Sequence, residues 1–216
     1  QLHLHTYYSI GDGMPSPEEY VEKAAKLGMK ALAITDHGSL SGILRFSNAC
    51  KKNNIKGLIG CEFYINNERE KNKEAGPNHH LVLIAKSPGG YKNLLKINYN
   101  GVNEGFYYKP RVKEQFIFEH SEGLLCGTAC LGSPINMLLR ENKIREAERK
   151  LLEYKEVFRD NLYSELQFNE VKEQILVTTK LLELSKKHKI NYVVTGDCHY
   201  LEKGEDQLQE VAIMIG

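Results

Sequence analysis

Ala31-Leu32-Ala33-Ile34-Thr35-Asp36-His37-Gly38 is the stretch from which the fold can be read. Its apolar start does not alternate with polar residues, which suits a short strand buried on both faces. It stops at an acid, an imidazole and a glycine, so reactive side chains fall just past a strand end. Upstream, Ser16-Pro17-Glu18-Glu19 predicts a helix start. Ser16 can cap, Pro17 suits the first turn, and Glu19 stands three residues after the cap. Val21, Ala24, Ala25 and Gly28 follow at helical spacing.

Downstream the alternation repeats. A helix is predicted over 40–52, then a strand over 56–60 with Glu62 at its exit. A strand over 80–85 precedes a helix over 91–100, and a short strand over 124–128 ends just before Cys130. Helices are predicted over 134–139 and 144–158. On the second, Ile144, Ala147, Leu151, Tyr154 and Phe158 share a face, and Glu146 and Lys150 form a predicted i,i+4 pair. A strand over 162–166, a helix over 171–188, a strand over 191–195 and a helix over 205–215 complete the chain. The basic run Lys186-Lys187-His188-Lys189 reads as a solvated helix C-terminus. Residues 66–78 read as a polar, exposed loop.

Alternating elements predict an α/β fold with a mainly parallel sheet. His37, Glu62, Cys130 and Asp197 each follow a strand. Ligands drawn from so many strands fit a closed ring better than the single crevice of an open doubly wound sheet. His80 fits less well, because it falls at the beginning of its strand.

Composition narrows the function classes. Apolar residues make up 41% and charged residues 26%, an ordinary globular balance. With 29 Lys+Arg against 28 Asp+Glu, the net charge is +1, so no bulk positive field would hold nucleic acid. Any DNA contact must be local. Five cysteines without a CxxC pair do not form a secreted disulfide framework and predict a reducing cytoplasm. No apolar run is long enough for a membrane span. The chain starts at Gln1 without Met and ends at Gly216 after an apolar run, so both ends read as cut from something longer.

The ligand-type residues cluster by spacing. In His3-Leu4-His5 and Asp197-Cys198-His199 the outer residues are two apart, hence on one face of a strand. Cys61 and Cys198 alternate with ligand positions and should face away. Asp12, His37, Glu62, His80 and Cys130 complete a set typical of zinc, with manganese or iron as alternatives. Each has a plainer reading when taken singly. Asp12 lies in a Gly-Asp-Gly turn, Asp36 can cap a turn, and Cys130 can be a small buried apolar residue. Together they predict a multi-metal hydrolytic site.

A resemblance sharpens this. Leu2-His3-Leu4-His5-Thr6, Tyr8-Ser9-Ile10-Gly11-Asp12-Gly13, Ile34-Thr35-Asp36-His37-Gly38, Gly60-Cys61-Glu62-Phe63-Tyr64, His80-Leu81-Val82-Leu83-Ile84-Ala85-Lys86, Thr128-Ala129-Cys130-Leu131-Gly132-Ser133 and Thr195-Gly196-Asp197-Cys198-His199-Tyr200 resemble, in order, the motifs of the PHP (polymerase and histidinol phosphatase) family. Gly105-Phe106-Tyr107-Tyr108-Lys109-Pro110-Arg111 is similar to the branch found at the N-terminus of bacterial DNA polymerase III alpha subunits. The resemblance implies a distorted (β/α)7 TIM-like barrel, with residues 1–216 forming a single domain that lacks the polymerase domains.

It also implies up to three zinc ions, or manganese or iron. His3, His5, Glu62 and Asp197 would hold one. Glu62 would bridge to a second, with His80 and Cys130. Asp12, His37 and His199 would hold the third. The choice of His80 over His79 comes from the family, not from the residues themselves. Asp12, His37 and Glu62 would be the catalytic residues. Gly196 and Cys198 depart from the family's frequent Asn and Val, and neither replaces a ligand.

The implied function is a metal-dependent 3′→5′ exonuclease that proofreads. Its partners would be a DNA 3′ end, the polymerase domains of a parent chain and other replisome subunits. The alternatives are a catalytically silent metal-binding docking domain and a small-molecule phosphatase of the histidinol phosphatase type. Tyr107, Lys109 and Arg111 are candidate nucleic-acid contacts, against a plainer reading in which this loop packs its rings on the barrel.

Overall fold

The computed structural model describes residues 1–68, 76–169 and 171–215. Much of the predicted 66–78 loop therefore lies outside the described residues. Its first residue, Asn66, is not exposed but buried, with its backbone N–H on the Val112 carbonyl at 3.0 Å.

The alternation predicted from the sequence is observed. Strand β1 is Ala31–Ile34, β2 Lys56–Ile65, β3 His79–Ala85, β6 Leu124–Gly127, β7 Leu162–Gln167 and β8 Asn191–Thr195. Helices α1 (Pro17–Lys26), α2 (Ile43–Lys52), α3 (Pro88–Asn103), α4 (Glu114–Glu119), α5 (Pro134–Arg140), α6 (Ile144–Phe158), α7 (Lys172–Lys187) and α8 (Asp206–Ile215) surround them. Helix α1 begins as read: the Ser16 hydroxyl accepts from Glu19 N–H, and the Glu19 carboxylate reaches back to Ser16 N–H.

Two features depart from a parallel alternation. β1 and β2, β6 and β7, and β7 and β8 pair in parallel, but β3 runs antiparallel to both β2 and β6. The connection from β2 to β3 contains no crossover helix among the described residues, and without one a following strand returns antiparallel. The reversal resolves the misfit of His80. The start of β3 lies at the same end of the sheet as the exits of its parallel neighbours, so His80 sits where the other ligands do.

Secondly, residues read as a loop form a hairpin. β4 (Phe106–Tyr107) pairs with β5 (Lys109–Val112), and β5 adds in parallel to β2 through Tyr64 and Ile65. Tyr108 turns the hairpin at φ +57°, a left-handed conformation that strains a residue with a bulky side chain.

The ring closes through the first residues of the chain. Ala33 N–H donates to the Gln1 carbonyl and Thr35 N–H to the Leu4 carbonyl, on the β1 side. On the β8 side, His5 N–H donates to the Cys198 carbonyl and Cys198 N–H to the His3 carbonyl. The N-terminal segment thus acts as the strand between β8 and β1, which makes a distorted TIM-like barrel.

The main core lies between the sheet and α3, α5, α6 and α7. Leu81, Leu83, Leu94, Ile97, Leu124, Leu151 and Tyr154 are fully buried there. A second cluster, with Leu4, Val21, Ile34 and Phe46, seats α1 and α2. The predicted face of α6 is buried, but the Glu146–Lys150 pair does not form. Lys150 instead meets Glu114 at 2.6 Å and Glu153 at 3.0 Å, and Tyr154 O–H donates to the same Glu114. A buried carboxylate attracts the ammonium more strongly than an exposed neighbour on the same helix. The basic run after α7 is likewise not simply solvated, since Lys187 and His188 both contact Glu148.

Inside the barrel, Ala33, Val82, Ile84 and Ala129 pack with Leu2, Leu58 and Leu125. A cavity of about 210 Å³, lined by Leu2, Leu58, Val82, Ile84, Leu125 and Val193, occupies this apolar end, and Glu165 and Thr195 also line it. The barrel is therefore apolar at one end and densely polar at the other.

Candidate metal centre

The polar end gathers every predicted ligand. Glu62 lies at its middle, within β2 rather than at its exit, and is 1% exposed. His3 Nε2 is 3.4 Å from Glu62 Oε1 and 3.2 Å from Asp197 Oδ1. His5 Nε2 is 3.3 Å from Glu62 Oε2 and 3.1 Å from the same Asp197 oxygen. His80 Nδ1 lies 3.2 Å from the same Oε1 that His3 meets, with Cys130 Sγ 3.5 Å from His80 and 3.8 Å from Glu62. Asp12 Oδ2 is 3.2 Å from His37 Nε2 and 3.8 Å from His199 Nε2, and His37 Nδ1 reaches Glu62 at 2.8 Å.

These spacings meet a geometric requirement. Four bonds of about 2.1 Å in a tetrahedron hold ligand atoms about 3.4 Å apart. The ligand atoms here are spread around that value. Buried polar atoms are normally hydrogen-bonded. Yet His3 Nε2, His5 Nε2, Asp12 Oδ1, His37 Nδ1, Glu62 Oε2 and Asp197 Oδ1 are buried without a hydrogen-bond partner, and all belong to this centre. A set of imidazoles, carboxylates and a thiol aimed inward with such atoms fits divalent metal ions. The groups His3–His5–Asp197, His37–Glu62–His80 and His5–His37–His199 each bring their atoms within 4.8 Å of one another.

Electrostatics follow from this crowding. Burial opposes charge on His3, but Asp197, Glu165 and Glu62 outweigh it and hold its pKa well above the usual imidazole range. Burial and the neighbouring His37 push His5 down to about 4, against Asp197 and Glu62. Burial also opposes charge on His37, yet the carboxylates of Asp12 and Glu62 beside it lift it to about 10. Burial disfavours the charged forms of Glu62 and Asp197 too, but their histidine neighbours keep both below the carboxylate range. Burial and then Glu62 raise the Cys130 thiol. The centre thus concentrates negative charge that needs cations, whether protons or metals, to balance it.

Residues beyond the predicted set aim the ligands, as outer hydrogen bonds do in metal sites. His3 Nδ1 lies 2.9 Å from Glu165 Oε2, which also accepts from Thr195 O–H, while Glu165 Oε1 accepts from Ala129 N–H. Gly127 leaves the space this carboxylate crosses: a Cβ there would stand 2.2 Å from Glu165 Oε1. His5 Nδ1 lies 3.0 Å from Ser9 Oγ, which donates to Asp36 Oδ1 at 2.8 Å. Asp36 is therefore more than a turn cap. Burial raises its pKa to about 6 against the hydrogen bonds of Ser9 and Thr6. A charged residue within the otherwise half-apolar β7 was the available sequence signal for Glu165. Ser9 had none. Backbone strain gathers here as well, with Asp197 at φ +49° and Ala129, beside Cys130, at φ +54°. As expected, Cys61 and Cys198 face away, onto the Asp36 carbonyl and the Gln1 side chain respectively.

The predicted nucleic-acid contacts separate. Arg111 is 2% exposed, its Nε donates to the Gly105 carbonyl, and its guanidinium lies 5.3 Å from the Tyr107 ring centroid. Burial in the hairpin base takes Arg111 away from any phosphate outside, and Tyr107 is occupied as its platform. Lys109 instead borders the centre, 5.6 Å from the Tyr64 ring, which itself stacks on His37. With Tyr8, Ile10, Phe106, Tyr108 and Pro110 it lines a cleft of about 510 Å³ that reaches Asp12 and His37.

Comparison with known proteins bears on the family and the fold. The family model described as PHP domain matches residues 1–169. The chain is 38% identical over 220 residues to the DNA polymerase III subunit alpha of Treponema pallidum, and 38% identical over 222 residues to that of Aquifex aeolicus. The alignments cover 100% and 99% of this chain but 19% of each relative, so the chain spans about a fifth of their length. Among solved structures, a candidate metal-dependent phosphoesterase of Bifidobacterium adolescentis aligns with TM-score 0.61 at 15% identity, covering 97% of this chain and 94% of that one. An amidohydrolase of Chromobacterium violaceum, with bound sulfate and no metal, aligns with TM-score 0.57 at 14% identity over 98% and 96% of the two chains.

Proposed function

The chain belongs to the PHP domain family, and on that premise we propose that it is a metal-dependent phosphodiesterase that removes nucleotides from DNA 3′ ends, within a replicative DNA polymerase. The observation that carries this reading is the gathering of ligand-type side chains around Glu62, seven of them in groups able to hold an ion, with inward-facing atoms lacking hydrogen-bond partners. His3, His5, Glu62 and Asp197 would hold one ion, Glu62, His80 and Cys130 a second, and Asp12, His37 and His199 a third. Zinc suits this mixed nitrogen, oxygen and sulfur set, with manganese or iron as alternatives.

Ions held there would supply Lewis acidity and a water acidified to a pKa of about 7. The chain's own residues do the rest. Glu62 sits between the ligand groups and aligns them. Asp12 and His37 face the cleft, so a phosphodiester entering there meets them first. Glu165 and Ser9 hold His3 and His5 with Nε2 directed inward.

A second reading, a metal-binding brace for the parent polymerase without turnover, draws on one observation. The centre ties the N-terminal segment to β8, so ions there would close the barrel. Release of nucleotides from a labelled primer 3′ end, measured under zinc or manganese, decides between them. Release that is lost in His5→Ala supports the exonuclease. Bound metal by elemental analysis with no release above that variant leaves the brace.

A further inference from the structure

The hairpin of β4 and β5 carries a surface that the ligand ring does not use. Tyr108 is 77% exposed and Phe106 53% exposed, and both line the cleft that reaches Asp12 and His37. The hairpin is firmly seated. Its β5 strand pairs with β2 through Tyr64 and Arg111, and Pro110 packs so closely on Gly38 that a Cβ there would stand 2.4 Å from it. Arg111 supports the Tyr107 ring, and Tyr107 meets Tyr108 edge-on at 4.7 Å. A supported tyrosine is thus held at a hairpin tip in a left-handed conformation where glycine or asparagine would be unstrained. Lys109 lines the same cleft, its ammonium 5.6 Å from the Tyr64 ring centroid.

Exposed ring faces beside one cation, at the entrance to a phosphodiesterase centre, match a particular ligand chemistry. Bases stack on aromatic rings without regard to sequence, and a cation pairs with the adjoining phosphate. A base paired at a duplex end keeps one face on its neighbour and is held edge-on to its partner, so at most one of its faces is free for such a platform. We propose that Tyr108 and Phe106 stack the terminal base of a single-stranded 3′ end, with Lys109 on its phosphate, and thereby select unpaired over paired ends. The inference rests on the proposed exonuclease reading and names the form of substrate it accepts.

Its test is binding to the metal-free chain, in chelator, of an oligothymidylate with 2-aminopurine at its 3′ end. Stacking quenches that fluorophore. Wild-type chain should quench it, and Tyr108→Ala combined with Phe106→Ala should weaken binding at least about fivefold. Tyr108→Phe should restore it, and the same fluorophore paired at a blunt duplex end should respond weakly. In the metal-loaded chain, the same double variant should raise KM for single-stranded DNA and leave kcat within about twofold. Absence of quenching by the wild type, equal quenching by the double variant, or equal response to paired ends would overturn the proposal. If no phosphodiester is cleaved by any metal-loaded chain, the exonuclease reading falls, while the fluorescence still decides the platform by itself.

Discussion

The ligand ring and the β4–β5 hairpin are neighbours that share Tyr64 and His37, yet they are built on opposite principles. In the ring, His3, His5 and Glu62 are buried, the two imidazoles are each aimed by another buried group, and inward-facing atoms are left without hydrogen bonds. In the hairpin, the cation Arg111 is buried to hold a shape, while aromatic rings are left in solvent. The difference teaches what each can do. Buried polar atoms without partners are costly and make sense where an ion completes them. Exposed rings cost little and await a flat ligand.

The contrast can be broken most forcefully at Glu62. Glu62→Gln removes the charge that faces His3, His5, His37 and His80 at once. We expect loss of bound metal by elemental analysis and a drop in stability of roughly 3–5 kcal/mol in denaturant, the range for breaking a buried charge cluster. Full metal retention would mean that the carboxylate is not the bridge.

One step outward, Glu165→Gln should keep the fold and weaken metal binding about 10- to 100-fold in competition with a chelator, because the amide no longer fixes the His3 ring as a carboxylate does. Equal affinity would confine Glu165 to the barrel interior.

At the hairpin, Arg111→Ala should cost about 1–3 kcal/mol of stability, since it strips a buried donor from the Gly105 carbonyl, while metal content stays unchanged. A loss of metal would show that the two regions are coupled rather than adjacent.

The smallest expected effect is the most telling. Tyr108→Gly should leave stability unchanged or raise it by up to about 1 kcal/mol, because glycine relieves the positive φ. The same substitution should weaken binding of single-stranded ends. A residue whose removal helps the fold and harms binding is one kept for its ligand.

Several of these features could be read without a structure. The strand ending at His37, the capped helix α1 and the buried face of α6 follow from local spacing and capping chemistry, which the chain carries within a few residues. The ligand ring was legible because its members sit in short spaced pairs and at strand ends. Glu165 and Ser9 were not, since each acts through a side chain more than a hundred residues away or through a turn that no spacing announces. The expected Glu146–Lys150 pair failed for a related reason: Glu114, from another helix, offered Lys150 a buried carboxylate.

Composition and spacing by themselves determined the α/β alternation, the absence of a bulk basic charge, and a set of ligand-type residues at strand ends, while the choice of His80 over His79 came from the family resemblance. Only the tertiary structure decided the direction of β3, which brings His80 to the ligand end, and the placement of residues 1–5 between β8 and β1, which closes the ring. It also divided one basic-aromatic motif into a buried anchor, Arg111, and an exposed platform, Tyr108. The physical reason is the same in each case. Local sequence sets what a segment can form, but strand direction, closure and burial depend on partners distant in the chain, and those contacts exist only once the barrel has folded.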